Sequence, residues 1–277
     1  MFPFRSLTGQ LISLDSLSCT YNHNRTHPMS STQTTESDLR LRRSGDRGVQ
    51  DLGWSTNRMT FSFADYHDPD WMRFGPLRVL IESHIDPNEG FSEHPHRHAE
   101  IVSYVTEGVL RHEDSFGHEA DIRAGEMQLI SAGSRGMIHS ETNPRATPEA
   151  HYQMWFVPNR RDTDFAYHEL NPPSEEQEGQ FRLYVSPDGR GDTMPVNTDA
   201  YVHVGRFASG DRATYPLAAG RGAWVQVVEG TVSVGGVTLR TGDGVGITDP
   251  GKLRFSFGEA TEVLLVDVRM DADRVWE

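Results

Sequence analysis

Two stretches of this chain are versions of one unit, and that repetition constrains the fold more than any other feature. Residues 102–133 read VSYVTEGVLRHEDSFGHEADIRAGEMQLISAG, and residues 225–251 read VQVVEGTVSVGGVTLRTGDGVGITDPG. In each, an apolar run ends in Glu-Gly (Glu107-Gly108, Glu229-Gly230) and a hairpin follows. Then come Gly and an acid (Gly125-Glu126, Gly242-Asp243), a further apolar run, and a turn closed by Gly133 or Gly251. Glycine suits such turns because it takes backbone angles that a Cβ resists. Two copies of one β unit account for 277 residues better than one large sandwich does.

The rest of the chain agrees. From Met59 onward short apolar or alternating runs recur, among them 77–82, 101–106, 126–131, 152–157, 201–207, 223–228, 253–257 and 263–268. Gly, Pro, Asp and Asn separate them. Runs of about 4–8 residues rich in β-branched and aromatic types predict strands. Spaced at roughly ten residues, they predict sandwiches or barrels rather than βαβ units. With 26 Gly and 15 Pro the chain is too punctuated for a coiled coil. Residues 172–178 (PPSEEQE) read as a linker with Pro at a short helix start, and 271–277 as a terminal turn. The expected fold class is all-β, two copies of a β-sandwich or β-barrel unit. The expected boundaries are a flexible tail over 1–50, a first domain over 51–172 and a second over 173–277. The tail assignment rests on residues 29–48, which are polar, rich in Ser and Thr, and without apolar periodicity. Met29 is a candidate alternative start, which would make residues 1–28 a start-site artefact.

Several function classes are disfavoured. The formal charge of −14 argues against nucleic acid as a partner. A small basic cluster, Arg40, Arg42, Arg43 and Arg47, sits in the expected tail. The single cysteine, Cys19, excludes an intrachain disulfide framework and a thiolate metal cluster. No stretch of 18 uncharged apolar residues offers a membrane span. The amino-terminal apolar run is interrupted by Asp15 and lacks a small-residue cleavage site, so the expected location is the cytoplasm.

The 13 histidines are unevenly placed, with eight between His84 and His151. His94-Pro95-His96 is an i, i+2 pair, and on a strand both imidazoles then point to one face. His139-Ser140-Glu141 repeats the spacing behind a glycine turn. Three neutral imidazoles and a carboxylate suit Fe, Mn, Ni, Cu or Zn and do not resemble an all-oxygen Ca or Mg site. His94, His96, His139 and Glu141 are therefore the predicted metal ligands. The repeat supplies an internal control. Anchored at Glu107 and Glu229, His94 and His96 fall on Pro216 and Ala218; anchored at Gly133 and Gly251, His139 and Glu141 fall on Phe257 and Glu259. The second copy is therefore expected to lack metal ligands.

These motifs resemble the cupin superfamily. The first is GFSEHPHRHAEIVSYVTEG (90–108) and the second GEMQLISAGSRGMIHSETN (125–143), with Ser131 where proline is usual. HPHRHAEIVSYVTEG, HEDSFG, the turn before HSE, and YQMWFVP (152–158) resemble the pirin-like bicupins. The resemblance runs from about Arg58 to Val268. It implies two jelly-roll barrels packed face to face in a cytosolic monomer. It implies one divalent transition metal per chain, iron(II) first, with Mn, Co, Ni, Cu or Zn as alternatives. In most cupins a first-motif glutamate binds the metal, which here would be Glu100. In pirin-like proteins the second-motif glutamate does so, which selects Glu141. His98 departs from the family pattern and is a substitute ligand or an outer hydrogen-bond donor.

The resemblance also implies an activity. Bacterial members are associated with quercetin 2,3-dioxygenase chemistry, the O2-dependent opening of a flavonol ring with loss of carbon monoxide. The expected partners are thus a flavonoid or similar aromatic substrate and O2, with Glu141 as catalytic base. Phe91, Met127 and Met154 are candidate pocket residues. His112 and Gln128 are candidates to orient the ligands. The alternative is a metal-binding regulatory protein without turnover, as in vertebrate-type pirin, a transcriptional co-regulator.

Overall fold

The computed structural model describes residues 39–271. Residues 1–38 of the expected tail, with Cys19 and Met29, and all but the first residue of the expected terminal turn lie outside them. The chain runs through β1 (Leu39–Arg42), β2 (Gly48–Asp51), β3 (Ser55–Met59), β4 (Leu77–Ile85), β5 (Gly90–His96), β6 (Glu100–Glu107), β7 (Val109–Asp114), β8 (Glu119–Arg123), β9 (Met127–Ser131), β10 (Met137–Thr142), β11 (Glu149–Phe156) and β12 (Ala166–Leu170). A 3-10 turn at Ser174–Glu176 leads into β13 (Phe181–Ser186), β14 (Met194–Pro195), β15 (Ala200–Phe207), β16 (Arg212–Leu217), β17 (Arg221–Glu229), β18 (Thr231–Val234), β19 (Val237–Arg240), β20 (Gly244–Ile247), β21 (Gly251–Phe257) and β22 (Thr261–Arg269). No helix among the described residues is long and apolar enough to cross a membrane.

Each half pairs a seven-stranded sheet with a four-stranded one. The first barrel joins β12-β9-β6-β11-β4-β3-β2 to β5-β10-β7-β8. The second joins β1-β20-β17-β22-β15-β13-β14 to β16-β21-β18-β19. The repeated Glu-Gly turn is structurally demanding in both copies. Gly108 and Gly230 have φ of +71° and +89°, and a Cβ at either would lie 2.5 Å or less from a backbone carbonyl oxygen. Only glycine meets both conditions.

The two seven-stranded sheets face each other. Val102, Tyr104, Leu129 and Met154 of the first barrel share one apolar core with Val202, Val204, Trp224, Leu264 and Val266 of the second. Trp224 lies in this seam, with Phe61 and Phe74 edge-on at 5.1 and 5.6 Å. Both faces of these sheets are thus covered, which is why all eight residues of β11 are buried. The four-stranded sheets meet water, and their strands alternate, as in β10 and β16. Each large apolar side chain sealed in the seam contributes about 1.5–3 kcal/mol.

The expected flexible tail does not extend to residue 50. Residues 39–42 form β1 beside β20 in the second barrel, and residues 48–51 form β2 beside β3 in the first. This short segment therefore crosses between the domains. Leu39 and Leu41 pack against the second barrel's core. Arg40 and Arg42 lie over the Trp71 ring, at 4.8 and 4.6 Å. Arg43 pairs with Asp243 at 2.7 Å, and Arg47 with Glu82 at 2.6 Å. The four arginines that read as a basic patch are structural ties. Two apolar residues in LRLR make too short a period to announce a strand.

Candidate metal centre

β10 lies between β5 and β7. Its register sets His139 opposite His94 and Met137 opposite His96 on one side, and His139 opposite Asp114 on the other. Period-two alternation brings the three predicted imidazoles to one point inside the barrel. Their ring centroids are 4.4–4.8 Å apart. One nitrogen from each lies within 4.8 Å of the others, and Nε2 of His94 is 2.9 Å from Nε2 of His139. Nitrogens about 2.1 Å from a shared ion, at right angles, would stand roughly 3 Å apart. His139 is almost wholly buried. Burial, and then the neighbouring His94 and His112, push it well below the usual histidine value. A neutral, desolvated imidazole keeps its lone pair for a metal, so this donor set fits the implied ion.

Glu141 stands apart from this group of three. A bulge between His139 and Glu141 interrupts the pairing with β5 and re-aims the side chain. The buried carboxylate is clamped by amides: Gln153 Nε2 donates to Oε2 at 2.8 Å, and Gln128 Nε2 to Oε1 at 3.1 Å. Ser103 Oγ donates to Oε1 from 3.5 Å. Glu100, the alternative ligand, is on the opposite face of its sheet. It accepts from Ser131 and from Asn197 of the second barrel, and burial raises its pKa.

The other predicted residues divide. His112 is buried behind His139, Nδ1 to Nδ1 at 3.4 Å. Its Nε2 faces Asp114 Oδ2 at 3.1 Å, and its ring stacks on Tyr167 at 4.7 Å. Burial would raise the Asp114 carboxyl, but hydrogen bonds from His112 and from the backbone of His118 and Phe116 hold it below its ordinary value. His98 has left the strand: it sits in a turn at φ +54°, its N–H donating to Gly133 O, outside the imidazole group. Phe91 lies beside that group, its ring 6.4 Å from His94 and edge-on to Trp54.

Met127 and Met154 are not pocket residues. Both are wholly buried in the seam between the barrels, on the far face of the sheet from the imidazoles. Strand alternation requires this: Gln128 and Gln153 point inward, so their neighbours must point out. Sequence reasoning missed Gln153, Ser103 and Trp155. Trp155 stands edge-on to His96 at 4.8 Å and donates to Gln153 Oε1 at 2.7 Å. For Ser103 and Gln153 the available signal was an uncharged polar residue between two apolar or aromatic neighbours, because a buried polar group needs a partner; Trp155 carried no such signal.

In the second barrel the counting of equivalent positions slips. Pro216 and Ala218 are exposed, whereas the inward residues of β16 are Ala213, Tyr215 and Leu217. A count carried through a turn of unequal length reverses the face. Leu253, Phe255 and Phe257 of β21 fill the interior, and Glu259 lies exposed beyond that strand.

Comparison with known proteins follows the same two-part layout. A family model described as Pirin matches residues 40–156, and one described as Quercetinase C-terminal cupin domain matches residues 183–268. The chain is 37% identical to a quercetin 2,3-dioxygenase of Escherichia coli K12 over 82% of this chain and 97% of the relative. It is 35% identical to a pirin-like protein of Caulobacter vibrioides over 79% of this chain and 95% of that one. Among solved structures, Escherichia coli YhhW superimposes with a TM-score of 0.80 at 36% identity, over 83% of this chain and 97% of YhhW. The bacterial pirin YhhW in complex with nickel(II) gives 0.79 at 35% identity, over 83% and 99%. Two family models matched barrel by barrel, and relatives matched along nearly their whole length, make this chain a member of the pirin family of bicupin proteins.

Proposed function

We propose that this protein is a pirin-type dioxygenase that opens the ring of a quercetin-type flavonol with O2 and releases carbon monoxide. The observation that carries this reading is the cluster of three imidazoles inside the first barrel, with an amide-clamped carboxylate two residues along β10 from His139. Relatives named quercetin 2,3-dioxygenase support it. His94, His96 and His139 would hold one divalent transition metal, iron(II) first, with Glu141 as the fourth ligand. Such an ion supplies Lewis acidity toward a phenolic hydroxyl and a path for electrons to O2.

The chain's own residues do the rest. Oε1 of Glu141 already accepts from Gln128 and Ser103, so Oε2, which accepts from Gln153 alone, takes the proton of the flavonol 3-hydroxyl. Gln128 and Gln153 hold that carboxylate at a fixed angle. Asp114 orients His112, and His112 accepts from Nδ1–H of His139, which leaves Nε2 facing the cluster. Trp155 and Phe91 keep water from the imidazoles on two sides. A monomer in the cytoplasm completes the reading. The regulatory alternative loses its one sequence cue, because the tail arginines are tied inside the fold.

The test is turnover of quercetin in air by protein loaded separately with Fe, Mn, Co, Ni or Cu. Flavonol absorbance should fall as carbon monoxide is released. Glu141→Gln should slow this at least a hundredfold. No turnover with any of the five metals would refute the substrate assignment.

A further inference from the structure

A cavity of about 310 Å³ opens at one end of the first barrel, where Gly136 packs against the His96 backbone. It is lined by the β7–β8 turn, the β9–β10 turn and the segment before β12. Its walls include Phe116, Phe165, Arg135, Asp164 and Thr163. The imidazole cluster does not line it, and it has no part in the chemistry above.

Three features mark it as a binding site. First, Phe116 and Phe165 lie nearly face to face, 3.9 Å apart and 7° from parallel. Aromatic pairs prefer offset or edge-on contacts, and here Phe116 remains 54% exposed. That exposure is enforced. Asp114 Oδ1 accepts from the N–H groups of Phe116 and His118, at 2.8 and 3.1 Å, and Ser115 N donates to Ile138 O at 2.8 Å. The turn thus presents a flat apolar platform already in place, which lowers the ordering cost of stacking a ring against it. Second, Thr163 is buried, and its hydroxyl has no partner among the described residues. A buried hydroxyl is nearly always satisfied, and a polar ligand group would satisfy this one. Third, Arg135 makes no ion pair or side-chain hydrogen bond among the described residues, and exposed Asp164 offers an acceptor on the same lining.

We propose that this cavity binds a small planar hydroxy-aromatic acid. The ring stacks in line with Phe116 and Phe165, the carboxylate meets Arg135, and the phenolic hydroxyl donates to Asp164 or Thr163. The volume lies at the lower end of the 300–1,000 Å³ typical of ligand sites, about one or two rings. None of the three imidazoles lines the cavity, so the site is separate from the metal centre and does not depend on the function proposed above.

The probe is 4-hydroxybenzoate, titrated calorimetrically into full-length protein with and without prior metal removal by a chelator. One molecule should bind per chain, equally well in both preparations. Cyclohexanecarboxylate, which is not flat, and phenol, which lacks the carboxylate, should each bind at least tenfold more weakly. Phe116→Ala and Arg135→Gln should each weaken 4-hydroxybenzoate at least tenfold, with an unchanged thermal transition. Phe116→Leu, which keeps an apolar side chain without a flat face, replaces Phe116→Ala if that variant fails to fold. Absence of millimolar binding would overturn the proposal, as would binding that survives both variants. Binding abolished by chelation would place the ligand at the imidazoles and overturn it equally.

Discussion

Glu82 on β4 offers a quantitative test of the segment that crosses the barrels. Its carboxylate is 16% exposed and accepts from Arg47 Nη2 at 2.6 Å, Tyr152 OH at 3.1 Å and His84 Nε2 at 2.9 Å. Burial alone would raise its pKa, but the bonds from His84 and Arg47 overcome this and hold it at about 2, against 4.5 for a free glutamate. Lowering in the folded state means that ionised Glu82 stabilises the fold above the unfolded value, and that this is lost as pH falls toward 2. The difference of 2.5 units corresponds to about 3 kcal/mol at pH 7, by roughly 1.4 kcal/mol per unit. By the same linkage about 1 kcal/mol should remain at pH 3. The perturbation is Glu82→Gln, which cannot titrate. Urea unfolding of both proteins should give a stability difference that shrinks by about 2 kcal/mol between pH 7 and pH 3. Arg47→Met, which strands the buried carboxylate, should cost about 3–5 kcal/mol at pH 7. A wild-type-to-Gln difference that does not change between the two pH values would refute the reasoning, because the folded and unfolded carboxyls would then titrate alike.

Two further predictions separate the faces of the central sheet. Met154→Ala should cost about 2–5 kcal/mol in unfolding free energy through the cavity it leaves in the seam, with bound metal per chain unchanged; a loss of metal would return Met154 to the site. His112→Leu leaves Nδ1–H of His139 without its acceptor and should weaken metal binding about 10–100-fold, read by competition with a chelator; equal affinity would show that His112 does not act through His139.

Much of this protein is legible without coordinates. The Glu-Gly turns, their hairpins and the recurring apolar runs determine two copies of a β unit, because each depends only on local backbone angles and on alternation along one strand. The spacing His94-Pro95-His96 likewise determines that two imidazoles share a face, and His139 follows from its place in the repeated unit. The polar residues Ser103, Gln128 and Gln153 were also visible, each between two apolar or aromatic neighbours.

What the tertiary structure decided was the phase of that alternation. Both faces of the seven-stranded sheets are buried, one on the barrel interior and one on the other barrel, so hydrophobicity does not tell inside from outside. Met127 and Met154 therefore fall in the seam while Gln128 and Gln153 reach Glu141. The same ambiguity leaves Glu100 open as a ligand in the sequence; in the fold it faces Asn197 of the second barrel. The strands at 39–42 and 48–51 form because neighbours far along the chain complete their hydrogen bonds. Alternation is a property of a single strand and can be read from residue order. Which side of the strand meets which partner is settled only when the sheets pack.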